Sequence, residues 1–146
     1  MSIMMKIAIA NDHAGYSLKV KILNTLNEYQ FIDLGADTDQ SVDYPDFGHA
    51  LANEVERGNV NFGIAICGSG NGINMTVNKH KNIRGALCWN VEIARLARLH
   101  NDANIVSLPA RFLSDNDAIE IVRVFLNTDF EGGRHINRVR KIPCQV

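Results

Sequence analysis

Phe62-Gly63-Ile64-Ala65-Ile66-Cys67 runs without interruption into Gly68-Ser69-Gly70-Asn71-Gly72. The first six residues are apolar on both alternating faces, which predicts a strand buried from both sides. Such strands belong to parallel sheets covered by helices. The glycines predict a tight turn, and Ile73 to His80 predicts the helix that leaves it. Strand, glycine turn and helix together make one βα unit.

The same alternation extends in both directions. Toward the N-terminus, Lys6-Ile7-Ala8-Ile9-Ala10 is a short apolar run that ends at Asn11-Asp12-His13. Leu18, Ile22, Leu23 and Leu26 then recur at helical spacing with lysines between them. Phe31 to Gly35 reads as a second strand, Asp37 to Pro45 as a polar loop, and Phe47 to Arg57 as a helix closed by Gly58. Toward the C-terminus, Ile83 to Cys88 reads as a fourth strand. Ile93, Leu96, Ala97 and Leu99 mark a helix over Glu92 to Leu99, and Asn104 to Leu108 reads as a fifth strand. Ser114 or Asp115 can cap a helix carrying Ile119, Val122, Val124 and Leu126. There is no internal repeat, low-complexity tract or linker. Strands alternating with helices predict an α/β fold, a three-layer Rossmann-like sandwich around a five-stranded parallel sheet. The 146 residues form a single domain with room for a real core.

Composition narrows the function classes. Fifteen Lys and Arg against sixteen Asp and Glu leave a net charge of −1, which argues against binding nucleic acid or a membrane through bulk charge. No apolar run approaches the roughly 20 residues of a bilayer span. The apolar stretch before Asn11-Asp12-His13 is too short for a signal peptide. Cys67, Cys88 and Cys144 are few, odd in number and widely spaced, so a reducing cytoplasm is expected rather than a disulfide framework.

In folds of this class, ligands bind outside the carboxyl ends of the strands. The first strand ends there in Asp12 and His13, the third in Cys67 and the glycine turn, and the fifth leads to Arg111. Gly68-Ser69-Gly70-Asn71-Gly72 can aim backbone N–H groups at a phosphate or a developing oxyanion. The turn lacks the Gly-Lys-Ser/Thr of a P-loop, and its GxGxG spacing after a third strand is not a dinucleotide fingerprint. A bare GxGxG stretch fits a ligand-free turn equally well. Cys67 directly before it shifts the balance, because a helix N-terminus favours the thiolate of a base or nucleophile. Cys88 and Cys144 read as structural. His49 and His80 read as surface or capping residues, and no HxxxH or HExxH spacing points to zinc. His100 ends a helix, where it can cap the C-terminus or carry a proton. Arg134 and Arg138 stand one helical turn apart, as either a solvated face or an anion clamp.

Several motifs in order bear on that choice: Asn11-Asp12-His13-Ala14-Gly15, Asp43-Tyr44-Pro45, Cys67 to Gly72, Asn78-Lys79, His100-Asn101-Asp102-Ala103-Asn104 and Glu131-Gly132-Gly133-Arg134-His135. Together the chain resembles the type B ribose-5-phosphate isomerases, within a wider family that includes galactose- and allose-6-phosphate isomerases. The resemblance runs almost end to end. It implies interconversion of ribose 5-phosphate and ribulose 5-phosphate without metal or coenzyme. It places the base that moves the C1–C2 proton on Cys67 and the ring-opening acid/base on His100. It assigns substrate contacts to Asp12, His13, Gly68, Ser69, Gly70, Asn71, Gly72, Asn101, Arg111, Arg134 and Arg138. It also implies a homodimer, or a tetramer, whose sites mix residues from two chains, with the segment from about 131 to 146 reaching the partner.

This sequence departs from the commonest pattern in places. Ser69 stands where many relatives carry Thr, and Asn71 and Asn74 are unusually polar. Asn71 bears on sugar length, so hexose 6-phosphates remain an alternative substrate. Some relatives replace the cysteine by a nearby carboxylate, but Ile73 to Val77 contains none, which favours the thiolate. The rival from another class is a phosphosugar-binding module without chemistry, which gives Cys67 and His100 no task.

Overall fold

Alternate residues of the central strands serve opposite layers. The computed structural model describes residues 4–145. Its five strands are β1 (Lys6–Asn11), β2 (Gln30–Asp33), β3 (Phe62–Cys67), β4 (Gly85–Leu87) and β5 (Ile105–Pro109). They form one parallel sheet in the order β2-β1-β3-β5-β4. Ile7, Ile9, Ile64, Ile66, Val106 and Leu108 face one side, where they meet α1 (Tyr16–Thr25), α4 (Val91–Asn101) and α5 (Asp115–Leu126). Ala8, Ala10, Ala65, Cys67 and Ile105 face the other, beneath α2 (Tyr44–Glu56) and α3 (Asn71–Val77). Small residues on this second side let α2 settle close to the sheet. A methyl group on Gly63 would stand 3.1 Å from both Leu51 and Val55. The expected three-layer α/β sandwich is therefore the observed one.

The chain order reverses direction across the sheet between β1 and β3, since β2 lies outside β1 and β5 outside β3. That switch opens a crevice beyond the carboxyl ends of the two strands. Cys67 is in register with Pro109, so the ends of β3 and β5 lie level.

Some boundaries differ from the sequence reading. The second helix starts at Tyr44 rather than Phe47, because Pro45 occupies its first turn, where a missing N–H costs nothing. The fourth strand spans three residues instead of six and lies at the sheet edge. The third helix starts at Asn71 and ends at Val77. On α4 the helical spacing marked Ile93, Leu96 and Leu99, but these are half-buried. The fully buried strip is Ala94, Ala97 and Arg98.

Two buried cations had no signal in the apolar spacing. Lys19 donates to Ala36 O at 2.7 Å and pairs with Asp33 at 3.2 Å, tying α1 to the end of β2. Arg98 donates to Ala103 O at 2.6 Å, Asp102 Oδ1 at 2.9 Å and Thr128 O at 3.0 Å. Its guanidinium also lies 4.7 Å from the Phe62 ring centroid. Buried charges persist when their donors are satisfied in this way. Among the described residues, no helix is long and apolar enough to cross a membrane.

Candidate functional site

The crevice at the switch point holds a cleft of about 530 Å³. Asp12, Cys67, Gly68, Ser69, Gly72 and Arg111 line it, together with Tyr44 and Phe112. β3 brings Cys67 to the cleft wall with 5% of its surface exposed. The turn that follows depends on Gly70, which has φ +76° and packs so closely on Leu87 that a methyl group there would stand 2.5 Å from Leu87 Cδ1. An L side chain at that position meets strain and a clash together. Asn71 N–H donates to Ser69 Oγ at 3.3 Å. The N–H groups of Ser69 and Gly70 have no acceptor among the described residues. They are free to bind a phosphate or a developing oxyanion.

The other walls are pinned from neighbouring strands. Arg111 N–H donates to Gly68 O at 3.0 Å, and the guanidinium lies over the Gly68 α-carbon. Arg111 has no carboxylate partner among the described residues. Asp12 caps the 3₁₀ turn His13–Gly15, accepting from Ala14 N–H at 2.9 Å and Gly15 N–H at 3.3 Å. His13 Nδ1 accepts from Val42 N–H at 3.2 Å. A backbone N–H can only donate, so a neutral His13 carries its proton on Nε2. That bond also ties the loop before α2 to the end of β1. Tyr44 then enters the cleft from the first turn of α2, with its ring against Gly72. Tyr44 and Phe112 were missed as lining residues. The Asp43-Tyr44-Pro45 motif was the available signal for Tyr44.

His100, Asn101, Arg134 and Arg138 lie elsewhere. α4 follows β4 and runs back against the strands, so its C-terminus sits beside the start of β5. Cys67 stands level with the end of β5, roughly 13 Å away at about 3.3 Å per strand residue. α4 also packs on the opposite side of the sheet from Cys67. One chain therefore does not bring the two residues together.

The chain end is bound to this second location. Glu131 N–H donates to Leu99 O at 3.1 Å. Gly132 (φ +74°) and Gly133 (φ +56°) then turn the backbone through two successive left-handed residues, which favours glycine at both. The turn delivers His135, the first residue of α6 (His135–Arg140), onto His100, with the rings stacked at 4.3 Å. Glu131 Oε2 lies 3.8 Å from His100 Nε2 and 3.4 Å from His135 Nε2. Arg134 and Arg138 project from the same segment, exposed and without a carboxylate partner among the described residues. Sequence spacing within single helices passed over this histidine pair because two distant segments build it.

Other assignments sharpen. Polar Asn74 is structural: its Oδ1 accepts from the Ser107 hydroxyl at 2.9 Å and ties α3 to β5. His49 Nδ1 lies 2.8 Å from His80 Nε2, and His80 Nδ1 3.0 Å from Glu56 Oε1, a surface chain joining α2 to the turn after α3. Cys88 is fully buried, and burial pushes its thiol up to about 12. It stays protonated at neutral pH, as a structural cysteine should.

Comparison with known proteins adds to this geometry. The model of the ribose/galactose isomerase family matches residues 7–142. A putative sugar phosphate isomerase of Bacillus subtilis is 43% identical over 141 residues, covering 94% of this chain and 95% of the relative. A probable ribose-5-phosphate isomerase B of Mycoplasma genitalium is 44% identical over 140 residues, covering 93% and 92%. The crystal structure of a Thermotoga maritima ribose 5-phosphate isomerase superposes with a TM-score of 0.93 at 44% identity, over 95% of this chain and 97% of that one. The Mycoplasma genitalium ribose-5-phosphate isomerase B with bound ribulose-5-phosphate gives 0.90 at 41% identity, over 97% and 95%.

Proposed function

The chain belongs to the ribose/galactose isomerase family, and from that membership we propose that it interconverts ribose 5-phosphate and ribulose 5-phosphate by proton transfer through an enediolate, without a metal. The observation that carries the proposal is the buried Cys67 thiol at the switch-point cleft, beside the free N–H groups of Ser69 and Gly70. The Cys67 thiolate takes the C2 proton of the open-chain aldose, which leaves an enediolate. The loop N–H groups hold its oxygen charge. The resulting thiol returns the proton to C1, while the C2 hydroxyl proton passes to the C1 oxygen, and the ketose forms. Arg111 lies against the loop, where its guanidinium suits an anionic group of the substrate.

The cyclic aldose must open first, and the phosphate must be clamped. His100 suits the first task, with Asn101 beside it, and Arg134 and Arg138 suit the second. All four stand at the other end of the sheet from Cys67. Each site therefore draws on two chains, with the cleft from one protomer and the segment near His100 and Arg138 from its partner. Exposed Phe112 at the cleft and exposed Trp89 after β4 support a homodimer, since large exposed apolar groups mark contact surfaces. Three unpaired cysteines support a reducing cytoplasm as the compartment.

The test compares kcat/KM on ribose 5-phosphate with that on allose and galactose 6-phosphates. The proposal expects the pentose phosphate to be preferred. A preference for a hexose 6-phosphate would move the assignment within the family. Tight binding of these sugars without turnover would leave only a binding module.

A further inference from the structure

His100, Glu131 and His135 bring one ligand atom each to within 4.8 Å of one another. His135 is 6% exposed, and its Nε2 has no hydrogen-bond partner among the described residues. A buried ring nitrogen without a partner calls for an explanation, and an ion is one of the few available. Glu131 Oε2 stands 3.4 Å from that nitrogen, yet the pair does not align as a hydrogen bond. Oε2 stands 3.4 Å from His135 Nε2, the separation of ligands that share one small ion, and a wider 3.8 Å from His100 Nε2. Zinc–nitrogen and zinc–oxygen bonds of about 2.0–2.2 Å at tetrahedral angles put neighbouring ligands roughly 3.3–3.5 Å apart. The donor set of two imidazoles and one carboxylate suits zinc-class ions and leaves a fourth position open.

We propose that His100, Glu131 and His135 form a binding site for a divalent transition metal of the zinc class. His100 and His135 stack with their planes 17° apart, so the His100 ring, about a third exposed, turns to bring both Nε2 lone pairs onto one ion. Glu131 is held by its N–H bond to Leu99 O, and the left-handed Gly132-Gly133 turn fixes where His135 meets His100. Glu131, about half exposed, closes on the ion with the His100 ring, while buried His135 stays in place. Because the ion occupies His100, it acts as an inhibitor of any reaction that uses that imidazole as its acid/base. This consequence rests on the role assigned to His100 above, whereas the site itself rests only on the three side chains.

The test titrates the native dimer or monomer with Co²⁺ in the absence of substrate and follows visible d–d absorption and equilibrium dialysis. This readout needs no turnover, so it is independent of the proposed reaction. The expected result is one ion per chain with a low-coordinate cobalt spectrum. Glu131→Gln, a surface change that the fold tolerates, should weaken binding at least ~10-fold, and His135→Asn should do the same or more. Zinc should displace the cobalt. No saturable binding up to millimolar cobalt would overturn the site. So would binding that survives both Glu131→Gln and His135→Asn unchanged, because the ion would then lie elsewhere.

Discussion

The cleft beyond the carboxyl ends of the strands and the cluster at their amino ends hold complementary chemistry. The cleft has a thiol, free backbone N–H groups and one arginine, but among its lining residues no imidazole. The other end has two stacked histidines and two arginines without carboxylate partners among the described residues. Their construction differs as well. The cleft is cut into the rigid centre of the sheet, where β1 and β3 part. The other end is assembled on the last turn of α4 by a glycine hinge and a short final helix. A sheet centre holds a proton-transfer group in fixed geometry. A hinged segment on the rim is suited to meeting a second chain. Under the proposed reaction neither region alone supplies every group that an aldose–ketose isomerisation requires, and the two together do.

The largest expected effect breaks the cleft alone. Cys67→Ala should lower kcat by ~10²–10⁴-fold, the range of general acid–base catalysis, with the fold intact. Alkylation of the native protein should modify Cys67 and spare Cys88, whose thiol is held up to about 12 by burial. Mass spectrometry of the alkylated peptides checks both statements. Turnover near the native level in Cys67→Ala would remove the thiolate from the mechanism.

Next in size, Arg98→Ala should weaken the other region through stability. It removes a guanidinium that satisfies Asp102 and the carbonyls of Ala103 and Thr128 and packs on Phe62. Charged hydrogen bonds of this kind contribute about 1.5–3 kcal/mol each, and the partly exposed Asp102 recovers part of that from water. A net loss of about 3 kcal/mol is expected in urea unfolding. Below the transition, the rate of Cys67 alkylation should not change. A changed alkylation rate would show that the two regions are coupled within one chain.

A smaller effect follows from Arg138→Ala. Loss of one charge-assisted contact to phosphate is worth about 1.5–3 kcal/mol, roughly a 10–150-fold rise in KM. The thiol of Cys67 should remain as reactive as before. Steady-state kinetics with an unchanged KM would return Arg138 to the solvated helix face that its spacing also allows.

The cleft was more legible in the sequence than the rim, for physical reasons. A doubly buried strand such as Phe62 to Cys67 declares itself by composition, and the turn after it by its glycines. Local patterns therefore placed Asp12, Cys67, Gly68 to Gly72 and Arg111 at one end of the sheet. Tyr44 escaped because Pro45 looked like loop chemistry, although proline also fits the first turn of a helix. Lys19 and Arg98 escaped because apolar spacing carries no sign of a charge that finds buried partners across the fold. The meeting of His100, Glu131 and His135 is a tertiary fact. Thirty residues and a whole helix separate the two segments, and only the Gly132-Gly133 turn hinted that the chain folds back. Where His100 falls relative to Cys67 was in principle readable, since a crossover helix between parallel strands always ends at the amino edge of the sheet.

Mixing two impaired chains tests the central claim most directly, that one working site combines the cleft of one protomer with the rim of another. Cys67→Ala and Arg138→Ala proteins, each impaired alone, are denatured, combined and refolded, and turnover is measured at low ribose 5-phosphate. If the site is shared between chains, each heterodimer holds one site with both residues intact, and activity returns well above that of either parent. If Cys67 and Arg138 act within the same chain, every site keeps one defect and the mixture stays as impaired as its components. That second result, or a fully active monomer in sedimentation, would contradict the shared site.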